Sequence, residues 1–207
     1  MVVMQVSDKA MNVRLIIAEM NRRRSGAPFP LKVAFPIVDT PEERERQAAL
    51  RQPFYDNVIR PSLAFVGAVE DEASEGAPEL GLYTIGPIVE FAKAGEEVPL
   101  LKPSTDGMVA IDEYLKEVTK GQAPITITLR EADYWDFRNS NLTEWLKVAE
   151  YLENQGEKVI FIRDTAKWDE PITGFETCAA AAVDIDTRLA LYESAKCNLA
   201  VSNGPWM

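Results

Sequence analysis

The sequence predicts an α/β fold in which helices flank a parallel β-sheet. Its clearest part covers residues 125–207, where segments of strand length alternate with segments of helix length. The segment at 158–163 contains a continuous apolar run, from Val159 to Ile162, which is typical of a parallel strand that is covered on both faces. Strands that alternate with helices pair in parallel, because each connecting helix packs back onto the sheet. In such sheets ligands bind at the carboxyl ends of the strands.

Local patterns define the elements of this region. Apolar residues recur at helical spacing between residues 142 and 154, and Asn141 with Glu144 forms a helix start of the capping-box type. Gly156 is typical of a helix stop. The predicted elements are a strand at 125–129, a polar turn at 130–141, a helix at 142–154, a strand at 158–163, a helix at 186–196 and a strand at 198–202.

The first 120 residues give weaker patterns. Thr40 followed by Pro41 indicates a helix start, whereas Arg60-Pro61 is expected to break any helix and Gly86-Pro87 to interrupt a strand. The predicted elements are a short strand or helix at 12–20, a loop at 21–30, a strand at 31–38, a helix at 40–50, strands at 62–69 and 81–92, and a helix at 108–118. We expect two domains, an N-terminal α/β region at 1–120 and a second unit at 121–207.

The composition excludes several classes of site. The chain has 207 residues and a net charge of −11, and without a basic stripe it lacks the surface that nucleic-acid binding needs. It contains no histidine, which excludes a His-based triad, a zinc site with imidazole ligands and a histidine base. Cys178 and Cys197 give neither a disulfide framework nor a metal motif. No apolar run approaches the ~20 residues that span a bilayer, and no signal-peptide pattern is present, so a cytoplasmic location is expected.

Polar residues follow the first strand of the second unit. Arg130 and Glu131 end that strand, where a guanidinium can form a fork on a phosphate or carboxylate. An ion pair between these two neighbours is the alternative. Arg138, Asn139 and Ser140 precede the next helix, where backbone N–H groups suit an anion. Ordinary helix capping within a turn is the alternative for this segment.

Polar residues also follow the later strands. Asp164 ends the second strand and can accept a hydrogen bond from a ribose or sugar hydroxyl, or it simply begins a loop. Ser202, Asn203 and Gly204 follow the last strand. A glycine there permits the close backbone approach that a phosphate or sugar needs, although Gly-Pro also occurs in many ordinary turns.

In this order, the segments resemble the C-terminal domain of GT-B-like glycosyltransferases, which contain two Rossmann-like domains. The heptosyltransferase-like branch is the most similar, and the segments concerned are 126–131, 138–141, 159–164, 191–195 and 202–205. The resemblance implies a nucleotide-sugar donor, with Arg130, Asn203 and Gly204 facing its diphosphate. A histidine that is common after the family's glycine turn is missing, and so is the helix that follows the turn, because the sequence ends at Met207. We therefore expect a donor-binding domain that is truncated at the C-terminus.

Three functions are consistent with these patterns. The first is transfer of sugar from a nucleotide-activated donor, with Glu131 or Asp133 as the base and without a metal or other cofactor. The second is a non-catalytic α/β module that binds a nucleotide or a protein partner. Its exposed sheet edge favours self-association as a homo-oligomer. The third is a sugar-nucleotide epimerase of the same two-domain architecture.

Overall fold

The chain divides into two compact units, Met1–Leu101 and Lys102–Trp206. The structure is a computed structural model that describes residues 3–5, 11–34, 55–70, 86–132 and 136–201. The division lies before the helix at Thr105–Val118 and therefore earlier than the boundary expected near residue 120. This helix belongs to the second unit because its Ile111 and Leu115 share a core with strand residues of that unit.

The first unit contains a three-stranded parallel sheet. Strands β1 (Val3–Gln5), β2 (Leu31–Ala34) and β3 (Ala68–Glu70) pair in that order. Its described helices are α1 (Met11–Ser25), α2 (Arg60–Phe65) and α3 (Gly86–Lys93). The buried core consists of Leu15, Ala18, Leu31, Val33, Leu63, Val66 and Ala68.

Helix α1 is longer than the sequence predicts. It continues to Ser25 through the first half of the loop that was expected at 21–30. Arg22 and Arg23 both form ion pairs with Glu19, at spacings of three and four residues. Residues at these spacings are neighbours on a helix surface, so the ion pairs stabilise the helical state of this arginine-rich segment.

Two prolines lie in helices where a break was expected. A π-helical turn at Tyr55–Ile59 runs into α2, so Pro61 continues a helical run, whereas Pro87 is at the second position of α3. The predicted strands at 62–69 and 81–92 are therefore wrong over 62–67 and 86–92. Pro87 is tolerated in the first turn of α3 because the N–H that it lacks would have no helical partner there. The predicted helix at 40–50 lies outside the described residues, as do 35–38 and 81–85.

The second unit contains a parallel sheet, as predicted, and its strand order is β6-β5-β4-β7, in which β6 was not predicted. Its strands are β4 (Ile125–Thr128), β5 (Val159–Ile162), β6 (Glu176–Thr177) and β7 (Cys197–Ala200). Its helices are α4 (Thr105–Val118), α5 (Leu142–Asn154), α6 (Ala179–Val183) and α7 (Ile185–Ser194). The strands and helices predicted between residues 125 and 202 are confirmed, with their described ends within two residues.

Helices cover both faces of this sheet. Ala149 of α5 packs with Ile127 and Phe161 on one face. On the other face, Ile160 and Ile162 pack with α4, α6 and α7. All four residues of β4 and of β5 are buried, which explains why β5 is apolar without alternation. In β4 the buried Thr126 and Thr128 hydroxyls hydrogen-bond Asn198 and Tyr192.

The ends of α5 confirm the predicted caps. The Asn141 side chain accepts a hydrogen bond from the Glu144 N–H at 3.3 Å. At the other end Gly156 has φ of +85°, and the Glu157 N–H reaches back to the Leu152 carbonyl at 3.1 Å. This is the hydrogen bond of a Schellman motif, in which glycine adopts a left-handed conformation without steric cost. Asn141 therefore acts as a helix cap, which was the ordinary alternative for this residue.

Candidate functional site

The carboxyl ends of β4 and β5 lie side by side. Thr128 pairs with Ile162 in the parallel register, and the Leu129 N–H extends the ladder to the Ile162 carbonyl at 2.9 Å. The residues that follow each strand therefore lie near the same edge of the sheet. They are Arg130, Glu131, Arg163 and Asp164.

A buried ion pair joins the two strand ends. The Arg163 guanidinium donates from Nε to Glu131 Oε2 at 2.9 Å, and its Nη2 donates to the other carboxylate oxygen. The two side chains are 6% and 9% exposed, respectively. Lys167 lies 3.5 Å from the same carboxylate, and Glu170 lies 3.3 Å from Arg163. Glu131 thus pairs across the strands with Arg163.

This ion pair keeps Glu131 ionised. Burial by itself raises the pKa of Glu131, but the hydrogen bonds and charge of Arg163, together with Lys167, outweigh burial and hold that pKa below its ordinary value. The Glu131 carboxylate in turn raises the pKa of Arg163. A carboxylate that is stabilised in its charged form is a weak base, so the geometry favours a structural role for Glu131. Its predicted catalytic role stays a prediction.

Residues near the two ends of the segment 130–141 are hydrogen-bonded to each other. The Ser140 hydroxyl accepts from the Arg130 N–H at 2.9 Å, and the Ser140 N–H donates to the Arg130 carbonyl at 2.8 Å. The Asn139 side chain accepts a hydrogen bond from the Ala132 N–H at 3.1 Å and donates one to the Ala132 carbonyl at 2.7 Å. Asn139 and Ser140, which were predicted to contact an anion, thus hold the loop together.

Arg130 is buried at the base of this loop. It is 6% exposed, and its Nη1 donates to Asn139 Oδ1. The side chain is therefore restrained by a residue nine positions further along the chain. A restrained guanidinium loses little conformational freedom when it binds an anion.

Asp164 links the two strand ends from the other side. Its Oδ2 accepts a hydrogen bond from the Glu131 N–H at 2.9 Å. The residue is partly exposed, and a carboxylate retains acceptor capacity beyond one hydrogen bond. The contact supports the loop-starting alternative, while the predicted contact with a ribose or sugar hydroxyl stays a prediction.

Several predicted site residues lie at or beyond the edge of what the structure describes. Arg138 ends the short 3-10 helix Asp136–Arg138 and is partly buried, next to Phe137, which is 82% exposed. Four predicted residues lie outside the described part, namely Asp133, Ser202, Asn203 and Gly204.

Sequence patterns missed a second polar group at the same end of the sheet. Arg188 and Tyr192 lie one turn apart on α7. The Tyr192 hydroxyl hydrogen-bonds the Thr128 hydroxyl at 2.8 Å, which places it beside the end of β4. Burial raises the pKa of Tyr192 and lowers the pKa of Arg188. The available signal was the spacing of four residues, which puts both polar side chains on the helix face that packs on the sheet.

Neither a metal cluster nor a membrane-spanning helix is found within the described ranges. No three or more Cys, Asp or Glu residues there are grouped so that they could hold a metal ion. Likewise, none of the helices described is long and apolar enough to cross a bilayer.

Comparison with known proteins identifies the fold. Among solved structures, E. coli ADP-heptose LPS heptosyltransferase II is similar to this chain, with a TM-score of 0.58 and 11% sequence identity over 99% of this chain and 80% of that chain. No protein-family model matches the sequence, and no curated protein matches it. The chain therefore has a mixed α/β architecture, with helices flanking parallel sheets, consistent with the GT-B glycosyltransferase fold. Truncation of the second unit stays a prediction.

Proposed function

We propose that this chain is a glycosyltransferase-like protein that binds a nucleotide-activated sugar and transfers the sugar to an acceptor. The fold similarity to a heptosyltransferase supports the proposal. The donor site is proposed at the carboxyl edge of the sheet β6-β5-β4-β7, where ligands bind in open parallel sheets.

The position of Arg130 carries this proposal. The residue follows β4 directly, and the loop that ends at α5 fixes both its backbone and its guanidinium. Departure of a nucleoside diphosphate concentrates negative charge on the leaving oxygens. A preorganised cation at that point stabilises the charge as it develops, and the planar fork of arginine matches phosphate oxygens.

The other predicted residues take different roles in this proposal. Glu131, Asn139, Ser140 and Asp164 order the strand ends, because their side chains bind other parts of the same edge. Asp133 is kept as the candidate base that removes the proton of the acceptor hydroxyl. In addition, Arg138, Ser202, Asn203 and Gly204 are proposed to contact the donor.

A non-catalytic module that binds a nucleotide or a protein partner is the second candidate. The buried pair of Glu131 with Arg163 favours it, because this pair engages one of the two carboxylates that were predicted as the base. Such a module would bind a nucleoside diphosphate without turnover. Release of the diphosphate from a nucleotide sugar would instead support the transferase.

Substitution of Arg130 tests the donor site. The midpoint of thermal unfolding is measured against a panel of nucleoside diphosphates and nucleotide sugars, since a ligand that binds only the folded state raises it. We expect Arg130→Ala to weaken the best ligand at least tenfold, which corresponds to ~1.4 kcal/mol. Arg130→Lys, which keeps the charge and loses the fork, is expected to weaken it less.

The matched control is Lys147→Ala. Lys147 is on α5 of the same unit, its side chain is 64% exposed and it pairs with Glu144, so its loss changes the net charge without touching the sheet edge. Equal ligand affinity in the Arg130→Ala and Lys147→Ala proteins would remove Arg130 from the site. If no nucleotide in the panel shifts the midpoint of the unsubstituted protein, the transferase proposal fails.

A further inference from the structure

Arg188 is a buried cation with an unusual set of partners. Its Nε donates to the Ala181 carbonyl at 2.6 Å, and its Nη2 donates to the Ala182 carbonyl at 3.0 Å. Both carbonyls belong to α6. An arginine side chain carries five N–H donors, and the contacts within the described part of the chain use two of them.

Arg188 forms no ion pair with any residue that the structure describes. Asp164 is close enough to act on it electrostatically, but its carboxylate instead accepts the Glu131 N–H. Buried charges in proteins are normally paired, because removal from water is costly without a counter-charge. Arg163 illustrates the usual arrangement in the same unit, since Glu131 neutralises it.

Helix capping explains only part of this arrangement. The carbonyls near the carboxyl end of a helix carry partial negative charge, which favours a nearby cation. A five-residue helix such as α6 supplies only a fraction of one charge, however. Within the described residues, these carbonyls and the more distant Asp164 therefore compensate only part of the guanidinium charge.

The surroundings of Arg188 favour a ligand. Tyr192, one turn further along α7, contacts Thr128 at the end of β4. Asp164 follows β5, and the Thr165 hydroxyl binds the same Ala182 carbonyl as Arg188 at 3.3 Å. The guanidinium thus belongs to the carboxyl edge of the sheet, and the residue remains partly exposed.

We propose that Arg188 binds a phosphate-type oxyanion of a ligand through the N–H donors that the α6 carbonyls leave unused. The same contacts with Ala181 and Ala182 fix the guanidinium plane and so preorganise its free donors. This proposal rests on the proposed function and extends it, because the diphosphate of a nucleotide is such an anion. It assigns this contact to α7, a helix that the donor-site prediction does not use.

Inorganic pyrophosphate is the probe, because it tests the anion site without a nucleoside or a sugar. The unfolding midpoint is measured at increasing pyrophosphate and constant ionic strength for the full chain, for Arg188→Gln and for Lys196→Gln. Lys196→Gln is the matched control, because it removes the same charge from an exposed residue. The Lys196 backbone N–H binds the Pro124 carbonyl, which lies ahead of β4 in the chain. We expect pyrophosphate to raise the midpoint of the full chain and of Lys196→Gln. Its apparent Kd should rise at least tenfold in Arg188→Gln.

Two results would overturn the proposal. One is a full chain whose midpoint does not respond to pyrophosphate, and the other is a response that Arg188→Gln retains. Either result leaves the transferase proposal standing if nucleotides still bind and turn over. Conversely, a pyrophosphate response that is lost in Arg188→Gln supports the anion site even if no nucleotide binds.

A second measurement on the unsubstituted protein avoids any folding defect of the variant. Phenylglyoxal modifies accessible arginines, and peptide mass spectrometry identifies each site. We expect pyrophosphate to protect Arg188 while Arg24, whose side chain is 46% exposed, still reacts. Equal modification of Arg188 with and without pyrophosphate would contradict the proposal. A lack of any reaction at Arg188 would also contradict it, because a guanidinium closed to phenylglyoxal is closed to pyrophosphate.

Discussion

Glu19 in the first unit and Glu131 in the second are both buried and both held by arginine, but by different routes. Glu19 is bound within one helix by Arg22 at 2.7 Å and Arg23 at 2.8 Å. Glu131 is bound across two strands by Arg163, which lies 32 positions further along the chain. The first cluster forms whenever α1 forms, whereas the second requires the register of β4 and β5.

The two clusters also differ in the exposure of their arginines and in the expected cost of losing one partner. Glu19 has two arginine partners, and one of them, Arg23, has a side chain that is 42% exposed. The Arg163 side chain is 6% exposed, so neither charge of its pair is well solvated. Loss of one partner is therefore expected to cost little at Glu19 and much at Glu131.

Arg163→Met should have the largest effect. It leaves the Glu131 carboxylate buried without its main partner, for which about 3–5 kcal/mol of destabilisation is expected. Urea unfolding followed by circular dichroism measures the loss. Lys167→Met is the control, because Lys167 faces the same carboxylate at 3.5 Å with a side chain that is 42% exposed, and it should cost under about 1 kcal/mol.

The double variant Arg163→Met with Glu131→Leu sharpens this test. Replacing a buried pair by apolar residues is often neutral, so the double variant should regain much of the stability that Arg163→Met loses. A double variant less stable than Arg163→Met would show that the pair itself, and not the stranded carboxylate, governs the stability of this edge.

Acid should weaken both clusters in the same direction. The pKa values of Glu19 and Glu131 are held below their ordinary value, because the arginine contacts outweigh burial. A carboxyl whose folded pKa is lowered stabilises the fold above its unfolded pKa, and this contribution is lost as pH falls through the folded pKa. Stability should therefore fall from about pH 5 downward, and it should fall less steeply in Glu131→Gln and in Glu19→Gln.

Unfolding midpoints between pH 7 and pH 3 check this prediction. Each glutamine variant is compared with the unsubstituted protein at every pH, so that the general effect of acid cancels. A pH profile that is unchanged in Glu131→Gln would show that this carboxyl has the same pKa in both states. That outcome would contradict the role of Arg163 as its charge partner.

Arg23→Met should have the smallest effect. Its side chain is largely solvated and Arg22 still binds Glu19, so a loss of about 0.2–1 kcal/mol is expected by urea unfolding. A loss as large as that of Arg163→Met would erase the distinction between the two clusters. It would also show that the helical segment at 21–25 depends on this one ion pair.

Much of the second unit could be predicted from sequence. The cap at Asn141, the stop at Gly156 and the apolar run of β5 each depend on residues within a few positions, and each is confirmed. In the first unit the same kind of inference failed at Pro61 and Pro87. Proline disfavours a helix interior and permits a helix start. Local sequence alone did not show that Pro87 lies at a helix start, or that the chain at Pro61 continues a π-helical turn.

The location of the candidate site could be predicted from the sequence, but the contacts between its residues could be predicted only in part. The strand ends that carry Arg130, Glu131 and Asp164 do lie at one edge, as parallel pairing requires. Sequence offered Arg130 as the partner of Glu131, because the two are neighbours in the chain. The structure pairs Glu131 with Arg163 instead, because side chains of adjacent residues point to opposite sides of an extended chain.

The sequence by itself determined the class of the fold, the alternation of β4, α5, β5, α7 and β7, and the absence of histidine chemistry, whereas β6 and α6 were not predicted. These properties depend on composition and on periodicity over short distances, which are the same in any folded arrangement. Only the tertiary structure decided that Arg163 neutralises Glu131, that Asn139 and Ser140 close a loop, and that Arg188 reaches the carbonyls of α6. Arg163 and Glu131 are 32 positions apart and become neighbours only when β4 and β5 pair in register. The other contacts join residues seven to ten positions apart, and they depend on the path of the chain between those residues, which periodicity does not specify.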